Sequence, residues 1–384
     1  MRDFTFHNPT RILFGRGQIE NIADQIPTDA RILLVAGGGS IRNNGALDQV
    51  KGALAGRSLQ EFWGVRPNPA LDSLLPALEV VRSESLDFVL AVGGGSVIDA
   101  AKFIAAAART PGDPWNLLAR GTRVSAALPV GVVLTMPGTG SESNGAAAIS
   151  NHETGQKLVF VSPLSFPRFA VLDPELTFSL PERQVSNGIV DAFVHVLEQY
   201  LTYPVGGTLS DRLAEAILLT LKELGPSALS SPKDYAVRAH LMWAANLALN
   251  GLIAQGVPQD WTTHHIGHEL TALFGIDHAR SLAAVLPALL DARRQPKAEK
   301  LVQFGARVFG VSGASVSSCI DETIARTAAF FESLGVPTRL SAYGVGEEAV
   351  PRVVAKLKAN RRLRMGERLD ITPDEAGKIL TRAL

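Results

Sequence analysis

Near its start the chain twice runs a short apolar segment straight into three glycines and a serine: Arg31–Ala36 ahead of Gly37-Gly38-Gly39-Ser40, and residues 86–92 ahead of Gly93-Gly94-Gly95-Ser96. Runs this short and this apolar read as strands buried on both faces, which is the habit of parallel sheets covered by helices. The second glycine loop leads into residues 97–108, rich in alanine and other good helix formers. Two more strands are expected at residues 127–135 and at Phe169–Leu172. The first half, to about residue 180, is therefore read as an α/β unit with a mostly parallel sheet.

Glycine lets a ligand approach the backbone closely, and the free N–H groups at a helix start favour an anion such as pyrophosphate. The same residues also fit a plain tight turn, with Ser96 and Asp99 serving the helix start. Neither loop matches the dinucleotide fingerprint G-x-G-x-x-G, because Arg42 and Ile98 hold the sixth positions. A third polar loop, residues 135–144, follows another expected strand, and three such loops can surround one nucleotide. No acidic residue follows Arg31–Ala36 to hold a ribose 2′-hydroxyl; Ser40 and Arg42 stand there instead, which predicts NADP(H) over NAD(H).

After residue 180 the pattern changes to long amphipathic segments. Within residues 211–224, Leu213, Ile217, Leu218, Leu221 and Leu224 recur at helical spacing and define one apolar stripe. Two domains are expected: an NADP-binding α/β domain over residues 1–180, and an all-helical, metal-binding and catalytic domain over residues 181–384.

The helical half carries the second constraint. Asp191 and His195 are one helical turn apart and project from one face, so they can share an ion. Downstream, His264 and His268 repeat that spacing and His278 follows a break at Gly275. His265 points away from the 264/268 face, and His7, His152 and His240 have no partner in spacing. The lone cysteine, Cys319, rules out a cysteine-based zinc cluster, so a metal site here is built from histidine and carboxylate. The string His268-Glu269 fails as a metalloprotease motif because Ala272 stands where a second histidine is required. Spacing alone does not choose between His264, His268 and His278.

Lysine and arginine total 37, as do aspartate and glutamate, so no basic field is present for nucleic acid or an anionic membrane. A small-molecule partner is the expectation. Residues 1–10 lack the apolar core of a signal peptide, and the most apolar helical run is far shorter than the roughly 20 residues that cross a bilayer, so a soluble protein is expected; the single cysteine fits a cytoplasmic address.

With GGGSVIDAAK at residues 93–102, PGTGSESN at 137–144, Asp191-x-x-x-His195, His264-x-x-x-His268 and His278 in this order, the chain resembles the iron-containing, group III alcohol dehydrogenases nearly end to end. The resemblance implies a Rossmann-like nucleotide-binding domain followed by an all-α metal domain, the arrangement shared with dehydroquinate synthase. It implies metal ligation by Asp191, His195, His264 and His278, with His268 beside the metal as a residue that supports the ligands or relays a proton. It places Gly37, Gly38 and Ser40 at the adenosine phosphate, Gly94, Gly95, Ser96 and Asp99 at the pyrophosphate and ribose, and Thr135, Thr139, Asn144 and Lys157 around the phosphates and nicotinamide. The middle loop departs from many members in its shorter PGTGSE form.

Three nitrogens and one carboxylate oxygen suit zinc, iron or another divalent ion. The implied reaction is reduction of a short aldehyde to its alcohol by NADPH, in a homodimer. A dehydroquinate-synthase-like lyase shares this arrangement but needs basic residues for a phosphorylated substrate, and few lie near the histidines. A non-catalytic metal- or nucleotide-binding protein is the other alternative.

Overall fold

A computed structural model describes all 384 residues. The chain divides into two compact units. One comprises residues 7–180 with 232–246; the other comprises residues 1–6, 181–231 and 247–384. The change from α/β to helical character thus falls between Leu180 and Pro181, while the first six residues and the segment 232–246 each join the unit on the other side of that point in sequence.

The first unit is built on eight strands: β1 (Arg11–Phe14), β2 (Arg31–Ala36), β3 (Ser58–Phe62), β4 (Phe88–Gly94), β5 (Val130–Met136), β6 (Ala146–Asn151), β7 (Gln156–Val161) and β8 (Phe169–Leu172). Six of them form a parallel sheet in the order β1-β8-β5-β4-β2-β3, and β6 and β7 form a separate antiparallel hairpin. Successive side chains of a strand point to opposite faces, and two cores follow. Leu33, Val35, Val89, Ala91, Val132 and Leu134 pack beneath the helices Leu71–Ser83 and Gly95–Ala107. Ile32, Leu34, Phe88, Leu90, Val92 and Val171 pack on the other face against Ile19, Ile22, Leu47 and Val50.

The glycine loops leave the carboxyl ends of β2 and β4. Gly39 adopts φ 110°, a left-handed conformation that starts the short helix Ser40–Asn43. Gly95 opens the helix Gly95–Ala107 directly after β4, and a Cβ there would fall 2.5 Å from Thr139 Cγ2. The glycine is required because the loop after β5 packs against it.

The second unit is helical. Glu182–Tyr200, Thr208–Ser230, Thr262–Phe274 and His278–Ala292 are its principal elements here. Ile217, Leu218 and Leu221 of the expected stripe are buried, with Leu213 and Leu224 at its partly exposed margins. Phe193 anchors an aromatic cluster, with ring centroids 5.0 Å from Phe330 and 5.6 Å from Phe331. This packing fixes the helix that carries Asp191 and His195.

Candidate functional site

In the helical unit, Asp191 and His195 lie one turn apart in the middle of Glu182–Tyr200, and both are buried. His264 comes from the first turn of Thr262–Phe274, and His278 is the first residue of His278–Ala292. These elements converge on one oxygen. Asp191 Oδ1 lies 3.6 Å from His195 Nε2, 3.9 Å from His264 Nε2 and 3.6 Å from His278 Nε2. It is buried and makes no hydrogen bond. Donor atoms of Asp191, His195 and His264 all fall within 4.8 Å of one another.

A tetrahedral ion bound at roughly 2.1 Å has donors about 3.4 Å apart, close to the spacings found. A buried carboxylate oxygen that makes no hydrogen bond yet is ringed by imidazole nitrogens is costly unless a cation neutralises it. The donor set fits a divalent metal.

Neighbouring contacts hold the donors. Asp277, which begins the helix of His278, accepts from Arg183 Nε at 2.8 Å and Asn187 Nδ2 at 2.9 Å. His195 and His264 stack with centroids 4.7 Å apart. Glu198, one turn beyond His195 and buried, contacts His264 Nδ1 and accepts from Thr263 N at 2.6 Å. Burial, with Asp260 nearby, pushes its carboxyl up to about 8. His268 sits beside the donors, its ring centroid 6.1 Å from that of His264 and 5.1 Å from that of His278. Burial and Arg362 push His265 down to about 3, leaving it neutral. His7, His152 and His240 lie at exposed positions.

In the α/β unit the three loops at the ends of β2, β4 and β5 carry the remaining candidates. Gly38 faces open space, as a backbone contact to a ligand requires. Arg42 lies over the Trp63 ring, 4.1 Å from its centroid, while the carboxylate of nearby Glu61 is engaged by Lys51 at 2.6 Å and by Trp63 Nε1 at 2.7 Å. Ser96 does not cap its helix; its Oγ accepts from Asn68 N at 3.3 Å, and Asn68 Oδ1 accepts from Lys157 Nζ at 2.8 Å.

Asp99 turns toward the third loop, accepting from Ser141 Oγ at 2.6 Å and Ala148 N at 3.0 Å. Asn144 donates to the Gly140 carbonyl at 2.9 Å, Thr139 Oγ1 accepts from Ser141 N at 3.3 Å, and Thr135 is buried at the end of β5. The expected contacts of Asp99 and Asn144 with a nucleotide thus compete with hydrogen bonds inside the protein.

Four residues that the sequence reading passed over prove central. Lys102, wholly buried, holds the third loop through its ammonium; Glu142 is buried against Asn246 Nδ2 at 2.9 Å; Asn68 links Ser96 to Lys157; and Glu198 backs His264. Two signals were available. Asn68 precedes a proline, and Glu198 falls seven residues after Asp191, on the same helical face.

An α/β unit with glycine loops at its strand ends and a helical unit in which an aspartate and three histidines converge is an arrangement suited to a metal- and nucleotide-dependent enzyme. Residues 9–174 match the iron-containing alcohol dehydrogenase family and residues 185–384 its Fe-containing C-terminal family, so the chain belongs to the iron-containing alcohol dehydrogenases. It is 53% identical over 382 residues to the NADPH-dependent aldehyde reductase YqhD of Escherichia coli, covering 99% of each chain. It is 38% identical to the probable NADH-dependent butanol dehydrogenase 1 of Bacillus subtilis, covering 94% of each. The crystal structure of Escherichia coli YqhD superposes with a TM-score of 0.99 at 52% identity, covering 100% of this chain and 99% of the other. These likenesses favour a dehydrogenase over the lyase alternative.

Proposed function

We propose that the protein reduces short-chain aldehydes to alcohols with NADPH: RCHO + NADPH + H⁺ → RCH₂OH + NADP⁺. The observation that carries this reading is the buried Asp191 Oδ1, which makes no hydrogen bond and has three imidazole Nε2 atoms 3.6–3.9 Å away. The likeness to YqhD supports the choice of substrate and nucleotide. When bound, NADPH supplies the hydride, and a divalent ion, zinc or iron, supplies Lewis acidity toward a carbonyl oxygen.

Asp191, His195, His264 and His278 hold the ion. Gly37, Gly38 and Ser40 receive the adenosine phosphate, with Arg42 on its Trp63 platform placing positive charge nearby. Gly94, Gly95 and Ser96 present backbone to the pyrophosphate at the start of the helix Gly95–Ala107. Thr135, Thr139, Asn144 and Lys157 line the phosphates and nicotinamide side, and Asp99 keeps the loop that carries Asn144 in place. His268 relays the proton.

The protein is further read as a cytoplasmic homodimer. No helix is long and apolar enough to cross a membrane. Strand β1 pairs on one side only, with Phe14 and Trp243 partly exposed beside it in edge-to-face contact at 6.0 Å. Absorbance of NADPH with a panel of short aldehydes, on protein loaded with zinc or iron and on protein stripped by chelator, tests the activity. Oxidation that follows the metal supports it; bound ligand without oxidation refutes it.

A further inference from the structure

Along Glu182–Tyr200, Asp191, His195 and Glu198 occupy positions i, i+4 and i+7 and therefore share a face. Glu198 is 3% exposed, and its two oxygens have different tasks. Oε1 accepts from the backbone N–H of Thr263 at 2.6 Å, in the first turn of Thr262–Phe274, where helical N–H groups have no partner of their own. Oε2 contacts Nδ1 of His264. The backbone adds a third tie, since the Glu198 carbonyl accepts from Asp260 N at 2.8 Å. The adjacent Asp260 carboxylate is paired with Lys297 Nζ at 2.8 Å.

A carboxylate at Nδ1 fixes an imidazole in the tautomer whose Nε2 lone pair is free for coordination, and Nε2 of His264 is the atom turned toward Asp191 Oδ1.

We infer that Glu198 is a positioning residue of the metal centre: it orients His264 and sets its tautomer, so that the affinity of the site for a divalent ion depends on this carboxylate. The inference rests on the metal reading proposed above. Partners of this kind are worth about 10–100-fold in metal affinity.

The test uses the full-length protein and Zn²⁺ in competition with a chromophoric chelator, comparing wild type, Glu198→Gln and Asp191→Ala. Glu198→Gln is expected to bind Zn²⁺ about 10–100-fold more weakly than wild type while still binding it. Affinity of Glu198→Gln within twofold of wild type overturns the inference. If wild type and Asp191→Ala bind Zn²⁺ equally poorly, the metal reading itself fails, a distinct result.

Histidine nitrogen NMR of the Zn²⁺-loaded wild type needs no variant and covers the case of a Glu198→Gln chain that does not fold. It should show His264 protonated on Nδ1 and metal-bound through Nε2. Coordination through Nδ1 overturns the inference. A role confined to helix capping would change stability and leave both readouts where they are.

Discussion

Lys102 Nζ and Ser141 Oγ lie 2.9 Å apart in the interior of the α/β unit, and the same ammonium donates to Asn144 Oδ1 at 3.1 Å and to the Ala146 carbonyl at 2.9 Å. One buried cation thus organises the loop after β5. Lys102→Met leaves those acceptors unanswered and the Asp99 and Glu142 carboxylates without their cation. The unfolding free energy should fall by about 3 kcal/mol, measured by denaturant titration, and NADPH affinity should fall with it while Zn²⁺ affinity stays at the wild-type value.

The same lysine gives a pH dependence. Burial lowers it from 10.5 to about 8, so between those values the unfolded chain keeps a proton that the folded chain has released. Stability contributed by Lys102 therefore rises with pH through this window and is lost as pH falls through it. The stability gap between wild type and Lys102→Met should widen by up to about 3 kcal/mol between about pH 8 and about pH 10.5. A gap that narrows would contradict the assignment.

At Gly95 the close approach of Thr139 leaves no room for a side chain. Gly95→Ala should cost about 1–3 kcal/mol of stability and raise the NADPH dissociation constant roughly tenfold, the equivalent of about 1.4 kcal/mol. Fluorescence titration of NADPH checks this; unchanged binding would detach the loop from the nucleotide.

Asp191→Ala removes the oxygen on which the three histidines converge. Metal content per chain and turnover should disappear together, as read by elemental analysis alongside the aldehyde assay. A metal-free variant that still turns over would defeat the proposed mechanism.

His268 lies next to two of the proposed ligands. His268→Asn should lower kcat about 10²-fold or more and alter its pH profile while preserving Zn²⁺ binding. Full activity with an unchanged profile would withdraw the relay role.

Much of this architecture was legible because β2 and β8 are apolar runs bounded by sharp changes in composition, and both begin and end where the sequence indicates. Strand β4 extends two residues into its glycines because its ladder continues, through a register shift, to Met136. The hairpin of β6 and β7 was not legible: Ala146, Ala147 and Ala148 have little strand preference, and pairing with residues 156–161 supplies it.

Lys102 was hidden in an alanine-rich helix, where nothing in the periodicity reports that a lysine points inward. Glu198 shares a face with Asp191, but its partner His264 lies 66 residues on, a pairing only the tertiary fold brings about. Nothing local in residues 232–246 reports that they belong to the α/β unit, where Asn246 Nδ2 donates to Glu142 Oε1 at 2.9 Å.

All four proposed metal donors lie between residues 191 and 278, in one unit, and every proposed nucleotide contact lies between residues 37 and 157, in the other. Selection can therefore act on the two inventories separately. On the proposed contacts, substitutions around Ser40 and Arg42 would alter the choice of nicotinamide nucleotide without touching a proposed metal donor. Relatives at 53% and 38% identity are named for NADPH and for NADH respectively.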